Sequence, residues 1–86
     1  MHYVYVLKSE KDANMYVGYT ADLRERFTLH NAGKVKSTKA RRPFELIYYE
    51  ACLSQKDALR REKYLKTAYG KRYIKNRLRG YLDRLG

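Results

Sequence analysis

The sequence predicts an α+β fold in which helices flank a three-stranded antiparallel sheet, with the elements in the order β-β-α-β-α-α. The chain has 86 residues, which suits one domain over residues 1–86 and leaves no room for a second. Three segments rich in β-branched and aromatic residues predict the strands. Capping residues followed by apolar residues at helical spacing predict the helices.

The first two strands are predicted to form a hairpin. Residues 3–7 are Tyr-Val-Tyr-Val-Leu, a pattern typical of a central strand that is covered on both faces. The polar residues 9–14 predict a turn, so a second strand from Met15 should run back antiparallel to the first. This hairpin would place Tyr5 and Tyr16 near each other on neighbouring strands, with their rings on one face if the register allows.

The first helix has clear signals at both ends. Asp22 can cap free amide groups, and Glu25 three residues later completes a capping box. Gly33 predicts the end of the helix. Arg26 and His30 are four residues apart, so their side chains should project together from this helix.

A basic segment without periodicity follows this helix. Residues 34–42 include five cations, which predicts a mobile basic loop. A solvated connection is the alternative, but contact with phosphate groups is favoured by the overall charge. The candidate nucleic-acid contacts are Lys34, Lys36, Thr38, Lys39, Arg41 and Arg42.

The second half of the chain predicts one strand and two helices. Residues 44–50 should form a third strand that pairs beside the first. Ser54 followed by Asp57 is a helix-start pattern, Gly70 is expected to break that helix, and a final helix should begin at about Lys71.

Glu62 is an acidic residue within an apolar stripe of the second helix. The stripe consists of Ala58, Leu65 and Tyr69. An acid that faces a core costs several kcal/mol unless it meets a cation or a metal ion. The ordinary explanation is a salt bridge, to Arg61, Lys66 or a neighbouring strand. The alternative is a divalent metal, for which one carboxylate is a weak site that substrate phosphate oxygens must complete.

The tyrosines include two candidates for chemistry. The chain has ten tyrosines, and most of them should pack in the core or on strand surfaces. Tyr5 and Tyr16 differ because the predicted hairpin places them next to the helix that carries Arg26 and His30. Nearby cations would lower the pKa of a phenol, so a tyrosine among arginines and a metal ion could act as a general base.

Composition limits the classes of partner and the cellular compartment that we expect. Twenty Lys and Arg against nine Asp and Glu give a net charge of +11, which favours nucleic acid, although ribosomal surfaces and anionic membranes would also attract it. No apolar run reaches the roughly 20 residues of a membrane span, and the start does not resemble a signal peptide. Because Cys52 is the only cysteine, we expect a reducing, cytoplasmic setting.

These features together resemble the GIY-YIG nuclease superfamily, and specifically its small stand-alone bacterial members of the UPF0213 type. The family motifs correspond to Tyr3-Val4-Tyr5, Tyr16-Val17-Gly18, the arginine helix 22–27, the segment 30–33 and the glutamate helix around Arg61-Glu62-Lys63-Tyr64. The match extends from Tyr3 to about Thr67. Tyr3 departs from the family pattern, which has glycine there.

The resemblance implies hydrolysis of DNA phosphodiesters with one divalent ion, Mg²⁺ or Mn²⁺, held weakly without substrate. On that pattern Tyr5 or Tyr16 would help to activate water, Arg26 would stabilise charge on the phosphate, and Glu62 would hold the metal. His30 would be an accessory residue for proton transfer or the leaving group. Processes such as DNA repair or recombination use this chemistry.

Two hypotheses of different classes follow. The first is a metal-dependent endonuclease of low sequence preference. The second is a basic nucleic-acid-binding module that keeps the same fold without turnover. Whether a partner protein supplies targeting is open for both.

Overall fold

A computed structural model describes residues 1–85, so that Gly86 and the side chain of Leu85 lie outside the described part of the chain. The strands are β1 (His2–Ser9), β2 (Met15–Thr20) and β3 (Phe44–Cys52), and the helices are α1 (Leu23–Asn31), α2 (Gln55–Leu65), α3 (Ala68–Arg77) and α4 (Arg79–Leu85). A short 3₁₀ helix covers Lys39–Arg41. The predicted α+β class and element order are confirmed, with the last predicted helix divided into α3 and α4 at Leu78.

The sheet has the order β2-β1-β3, and both pairs of strands are antiparallel. The first strand is therefore central, as its apolar pattern predicts. The register pairs Tyr5 with Gly18 and Leu7 with Tyr16. Tyr5 and Tyr16 are thus diagonal neighbours on one face, and their ring centroids are 6.4 Å apart.

Alternation along β1 divides the core into two layers. Val4 and Val6 point to one face, where they pack with Ala58 and Leu65 of α2. Tyr5 points to the other face, where it packs with apolar side chains of α1 and β3, namely Leu23, Phe27 and Phe44. The helix that carries Arg26 and His30 and the helix that carries Glu62 therefore pack against opposite faces of the sheet.

Both ends of α1 are fixed by local hydrogen bonds. The Asp22 side chain accepts from the backbone N–H of Glu25 at 3.1 Å, as predicted. The predicted capping box also requires the Glu25 side chain to accept from the Asp22 N–H. That prediction is wrong, because the Asp22 N–H donates to Thr20 Oγ1 instead. Gly33 ends the helix with φ +75°, a left-handed conformation that glycine adopts without strain. The Lys34 N–H then returns to the Leu29 carbonyl at 3.0 Å, as in a Schellman motif.

The boundary between α2 and α3 differs from the prediction. The second helix ends at Leu65, and the Thr67 side chain caps α3 by accepting from the Gly70 N–H at 3.2 Å. Tyr69 belongs to α3 and is 68% exposed, so its assignment to the core stripe is wrong. Gly70 does not break a helix. It lies inside α3, where a Cβ atom would overlap the Tyr64 carbonyl oxygen and the Leu65 backbone, so glycine allows the two helices to meet closely.

The basic segment between α1 and β3 is not a wholly solvated loop. It contains a 3₁₀ turn, and the side chains of Val35 and Thr38 are buried. Asn31 closes the segment, since its amide group both accepts from the Phe44 N–H at 2.7 Å and donates to the Phe44 carbonyl at 3.1 Å. None of the helices within residues 1–85 has the length and apolar character needed to cross a membrane.

Candidate active site

Three elements meet around the buried imidazole of His30. The Tyr5 hydroxyl on β1 lies 2.7 Å from His30 Nε2. The Tyr16 ring on β2 packs against the imidazole edge to face, with centroids 5.2 Å apart, and the Phe44 ring on β3 lies 6.1 Å away. His30 has no exposed surface. The predicted proximity of Tyr5, Tyr16 and His30 is therefore present in the structure.

Gly18 makes room for the Tyr5 phenol. A Cβ atom at position 18 would overlap the Tyr5 hydroxyl and the ring carbon that bears it. The Tyr5 ring thus lies across its partner residue on β2, and this close approach directs the hydroxyl towards His30. This contact explains why the motif Tyr16-Val17-Gly18 has glycine at its third position.

His30 is a neutral imidazole at physiological pH. Burial, assisted by the positive charge of Arg26, lowers the pKa of His30 to about 4. A neutral imidazole has one nitrogen that donates and one that accepts. Both nitrogens have partners here, since Nδ1 lies 2.7 Å from Thr38 Oγ1 and Nε2 contacts Tyr5. His30 can therefore accept a hydrogen bond through one nitrogen and donate one through the other, and its lowered pKa disfavours the positively charged form.

The pKa of Tyr5 is raised, contrary to the expectation that nearby cations would lower it. Burial is the largest cause, and it outweighs the opposing effect of the Arg26 guanidinium. The neighbouring Tyr16 and the negative charge of Glu62 raise it further. Tyr5 is consequently a phenol at neutral pH, and it must lose its proton to a partner before it can act as a base.

Arg26 is directed into this cluster with part of its guanidinium unsatisfied. Its Nε atom is buried and has no hydrogen-bond partner among the described residues. A buried donor without a partner costs about 1–3 kcal/mol. An anionic oxygen would remove this cost, so the guanidinium is suited to receive a phosphate group.

Glu62 is half-buried on α2. Its carboxylate forms an ion pair with Lys66 Nζ at 3.0 Å, whereas Arg61 makes two bonds of 2.9 Å to Glu50 on β3. Of the salt bridges predicted as the ordinary explanation, the one with Lys66 is confirmed. Although α2 packs on the opposite face from α1, the Glu62 charge acts on Tyr5.

Glu62 is compatible with a weakly held divalent ion. The described residues contain no group of three or more His, Cys, Asp or Glu side chains that could form a complete protein site. A single carboxylate suits Mg²⁺ or Mn²⁺ that keeps its waters and shares substrate oxygens. The Lys66 side chain is 54% exposed, so its ammonium can leave the carboxylate when a cation arrives.

The basic segment divides into surface cations and structural residues. Thr38 is fully buried against His30, so its prediction as a phosphate contact is not supported by its position. Arg41 pairs with Asp12 at 3.1 Å and lies over the Phe44 ring, which gives it a structural role. The remaining candidates are exposed, namely Lys34, Lys36, Lys39 and Arg42.

The sheet, the motif positions and the His30 cluster define a GIY-YIG domain. The family model of the GIY-YIG catalytic domain matches residues 1–81, and the chain belongs to this family. The predicted resemblance is confirmed.

Relatives of similar size are UPF0213 proteins. One from Staphylococcus haemolyticus is 49% identical over 67 residues, which is 77% of this chain and 80% of that protein. The UPF0213 protein YazA of Bacillus subtilis is 47% identical over 66 residues, which is 76% of this chain and 66% of that protein. The solution NMR structure of a UPF0213 protein from Bacillus halodurans is similar with a TM-score of 0.54 at 37% identity, covering 85% of this chain and 80% of that one.

Proposed function

We propose that the protein is a divalent-metal-dependent endonuclease that hydrolyses DNA phosphodiester bonds with low sequence preference. The observation that carries the proposal is the cluster in which Tyr5, Tyr16 and Arg26 surround a buried, neutral His30 within reach of the Glu62 charge. Membership of the GIY-YIG catalytic domain family supports the same reaction class.

The chemistry follows from the proton positions. As the Tyr5 oxygen takes a proton from a water molecule, its own hydroxyl proton passes along the hydrogen bond to His30 Nε2, so that no free phenolate forms. The water oxygen attacks phosphorus, and the bond to the departing sugar oxygen breaks. That oxygen takes a proton from solvent, and His30 releases to solvent the proton that it received. Arg26 donates to the non-bridging oxygens, where negative charge develops. A metal ion held by Glu62 would supply further stabilisation of that charge and of the leaving oxygen.

A basic groove on α3 and α4 gives the nucleic acid a second contact region. The groove is lined by Lys71, Arg72, Lys75, Asn76 and Arg79, and its cations form no ion pair within residues 1–85. Lys71 and Lys75 also line a cavity with Met15 and Val17, the neighbours of Tyr16 on β2. Met15 and Val17 face the α2 side of the sheet, whereas Tyr16 faces the α1 side. A bound DNA strand would therefore reach the cations of α3 by passing around β2, which is an edge strand of the sheet.

A binding module without turnover is the second candidate. The ion pair between Glu62 and Lys66 favours it, because that carboxylate is already neutralised without a metal. The two candidates differ in a cleavage panel of flap, junction, nicked, duplex and single-stranded DNA with Mg²⁺ or Mn²⁺. We expect nicking that stops on chelation. No cleavage of any substrate with either metal, by protein that still binds DNA, would leave the binding module as the function.

The proposal includes a cytoplasmic location. The free cysteine, Cys52, is compatible with a reducing cytoplasm. DNA repair or recombination would use such an activity.

A further inference from the structure

Thr38 contacts the imidazole of His30 on the side opposite Tyr5. Its hydroxyl oxygen lies 2.7 Å from Nδ1, and the side chain is fully buried. The same hydroxyl donates to the Val35 carbonyl at 3.4 Å. A chain of hydrogen bonds thus runs from Tyr5 through both nitrogens of His30 to Thr38 and a backbone carbonyl.

The last acceptor in this series of hydrogen bonds determines which group donates at each step. The Val35 carbonyl can only accept, and it lies 3.4 Å from the Thr38 hydroxyl; when the Thr38 proton is directed to this carbonyl, the Thr38 oxygen accepts from His30. The proton of the neutral imidazole then lies on Nδ1. In this arrangement Nε2 carries the lone pair, and the Tyr5 hydroxyl, 2.7 Å away, is the donor.

The backbone holds Thr38 in this position. Its N–H donates to the Val35 carbonyl at 3.1 Å, and its carbonyl accepts from the Arg41 N–H at 2.9 Å. The bonds between Asn31 and Phe44 close the two ends of the segment. These bonds fix the backbone of the turn, and full burial of the side chain holds the hydroxyl against the imidazole.

We propose that Thr38 is a positioning residue that holds His30 in the Nδ1–H tautomer, so that Nε2 is free to take the proton of Tyr5. The consequence for cleavage rests on the proposed nuclease function. The tautomer itself does not, since it is a property of the free protein.

The tautomer can be measured directly. The ¹⁵N shifts and two-bond ¹H couplings of the His30 ring at pH 7 distinguish the two neutral forms, with His30→Gln used for assignment. We expect the Nδ1–H form in the wild type and in Thr38→Ser, and a shift towards Nε2–H in Thr38→Val, which lacks the acceptor. An Nε2–H form in the wild type would overturn the proposal, whether or not Thr38→Val folds.

Cleavage tests the consequence. We expect Thr38→Val to lower kcat by roughly tenfold or more with little change in KM for DNA, and Thr38→Ser to recover most of the rate. The matched control is Thr28→Val, at an exposed threonine on α1 that bonds only to its own helix. Wild-type cleavage by Thr38→Val would contradict the role in catalysis. If the wild type does not cleave DNA, the nuclease function fails and the ring shifts still decide the role of Thr38.

Discussion

His30 is a buried histidine whose neutral form is favoured by the fold. Its side chain is surrounded by Tyr5 of β1, Tyr16 of β2, Arg26 of its own helix and Phe44 of β3. None of these groups stabilises an imidazolium, and Arg26 opposes it. The residue that the motif places at the centre of the site is therefore suited to accept a hydrogen bond from a phenol through a ring nitrogen, and not to remain protonated.

The lowered pKa of His30 makes stability depend on pH. The pKa of His30 is about 4 in the folded protein and about 6.5 in the unfolded chain. The stability that His30 contributes is therefore fully present above pH 6.5 and is lost as the pH falls towards 4. Between pH 7.5 and 5 this loss should be about 2 kcal/mol. We expect urea denaturation to show it in the wild type and not in His30→Gln. A difference between the two proteins that is constant with pH would contradict it.

The unsatisfied Nε of Arg26 predicts a separation of stability from activity. Because the buried donor costs free energy in the absence of substrate, Arg26→Met should leave the free energy of unfolding unchanged or raise it by up to about 1 kcal/mol. Cleavage should fall by roughly 100-fold or more. Arg24→Met, at an exposed arginine of the same helix, is the control. A large loss of stability in Arg26→Met would show that the guanidinium has a structural partner.

Sequence spacing could predict only those parts of the site that depend on local geometry. The hairpin places Tyr5 beside β2, strand alternation sets the face of the sheet to which Tyr5 points, and helical spacing places Arg26 beside His30. The sequence predicted Thr38 as a nucleic-acid contact and missed its contact with His30, because that contact crosses a turn that has no period. The direction of the Tyr5 pKa also depends on the amount of burial, which the composition of its neighbours does not give.

At the level of elements, the connection between α2 and α3, which we call the α2–α3 corner, depends on packing that the sequence pattern does not reveal. Gly70 predicts a helix break when it is considered alone. The Thr67 cap starts α3 before that position, and Gly70 serves the close approach of the two helices instead. Tyr69 consequently points to solvent.

Substitution of two glycines tests the close approach of the two helices at the α2–α3 corner. Gly70→Ala should lower the free energy of unfolding by roughly 2–4 kcal/mol, because the Cβ atom would overlap the backbone of Leu65. Gly80→Ala in α4 meets nothing within 4 Å and should raise stability by up to about 1 kcal/mol. Thermal denaturation of both variants measures the contrast. Equal effects of the two substitutions would contradict the close approach.

At the level of the whole molecule, the fold places the two halves of the site on different layers. The α1 layer supplies Arg26 and His30, and the α2 layer supplies Glu62 and supports the basic groove of α3. The central strand carries Tyr5 between them. Binding and chemistry can therefore be altered separately.

Salt dependence tests the contribution of the groove to binding. Lys71→Gln/Lys75→Gln should weaken DNA binding at 100 mM salt and reduce the slope of log K against log salt by about 1–2. Lys56→Gln/Arg60→Gln removes the same charge from α2, where Arg60 is paired with Asp57, and should change the slope less. Fluorescence anisotropy across a salt series provides the measurement. Equal slopes for the two double variants would assign binding to net charge alone.

The most direct test of the central claim is to measure cleavage and binding with Glu62→Gln. The substitution keeps the shape of the side chain and removes its charge. We expect the variant to bind DNA without metal within about threefold of the wild type, since phosphate contacts come from other residues. Its single-turnover cleavage in Mg²⁺ or Mn²⁺ should be slower by roughly 100-fold or more. Cleavage by Glu62→Gln at the wild-type rate would contradict the account.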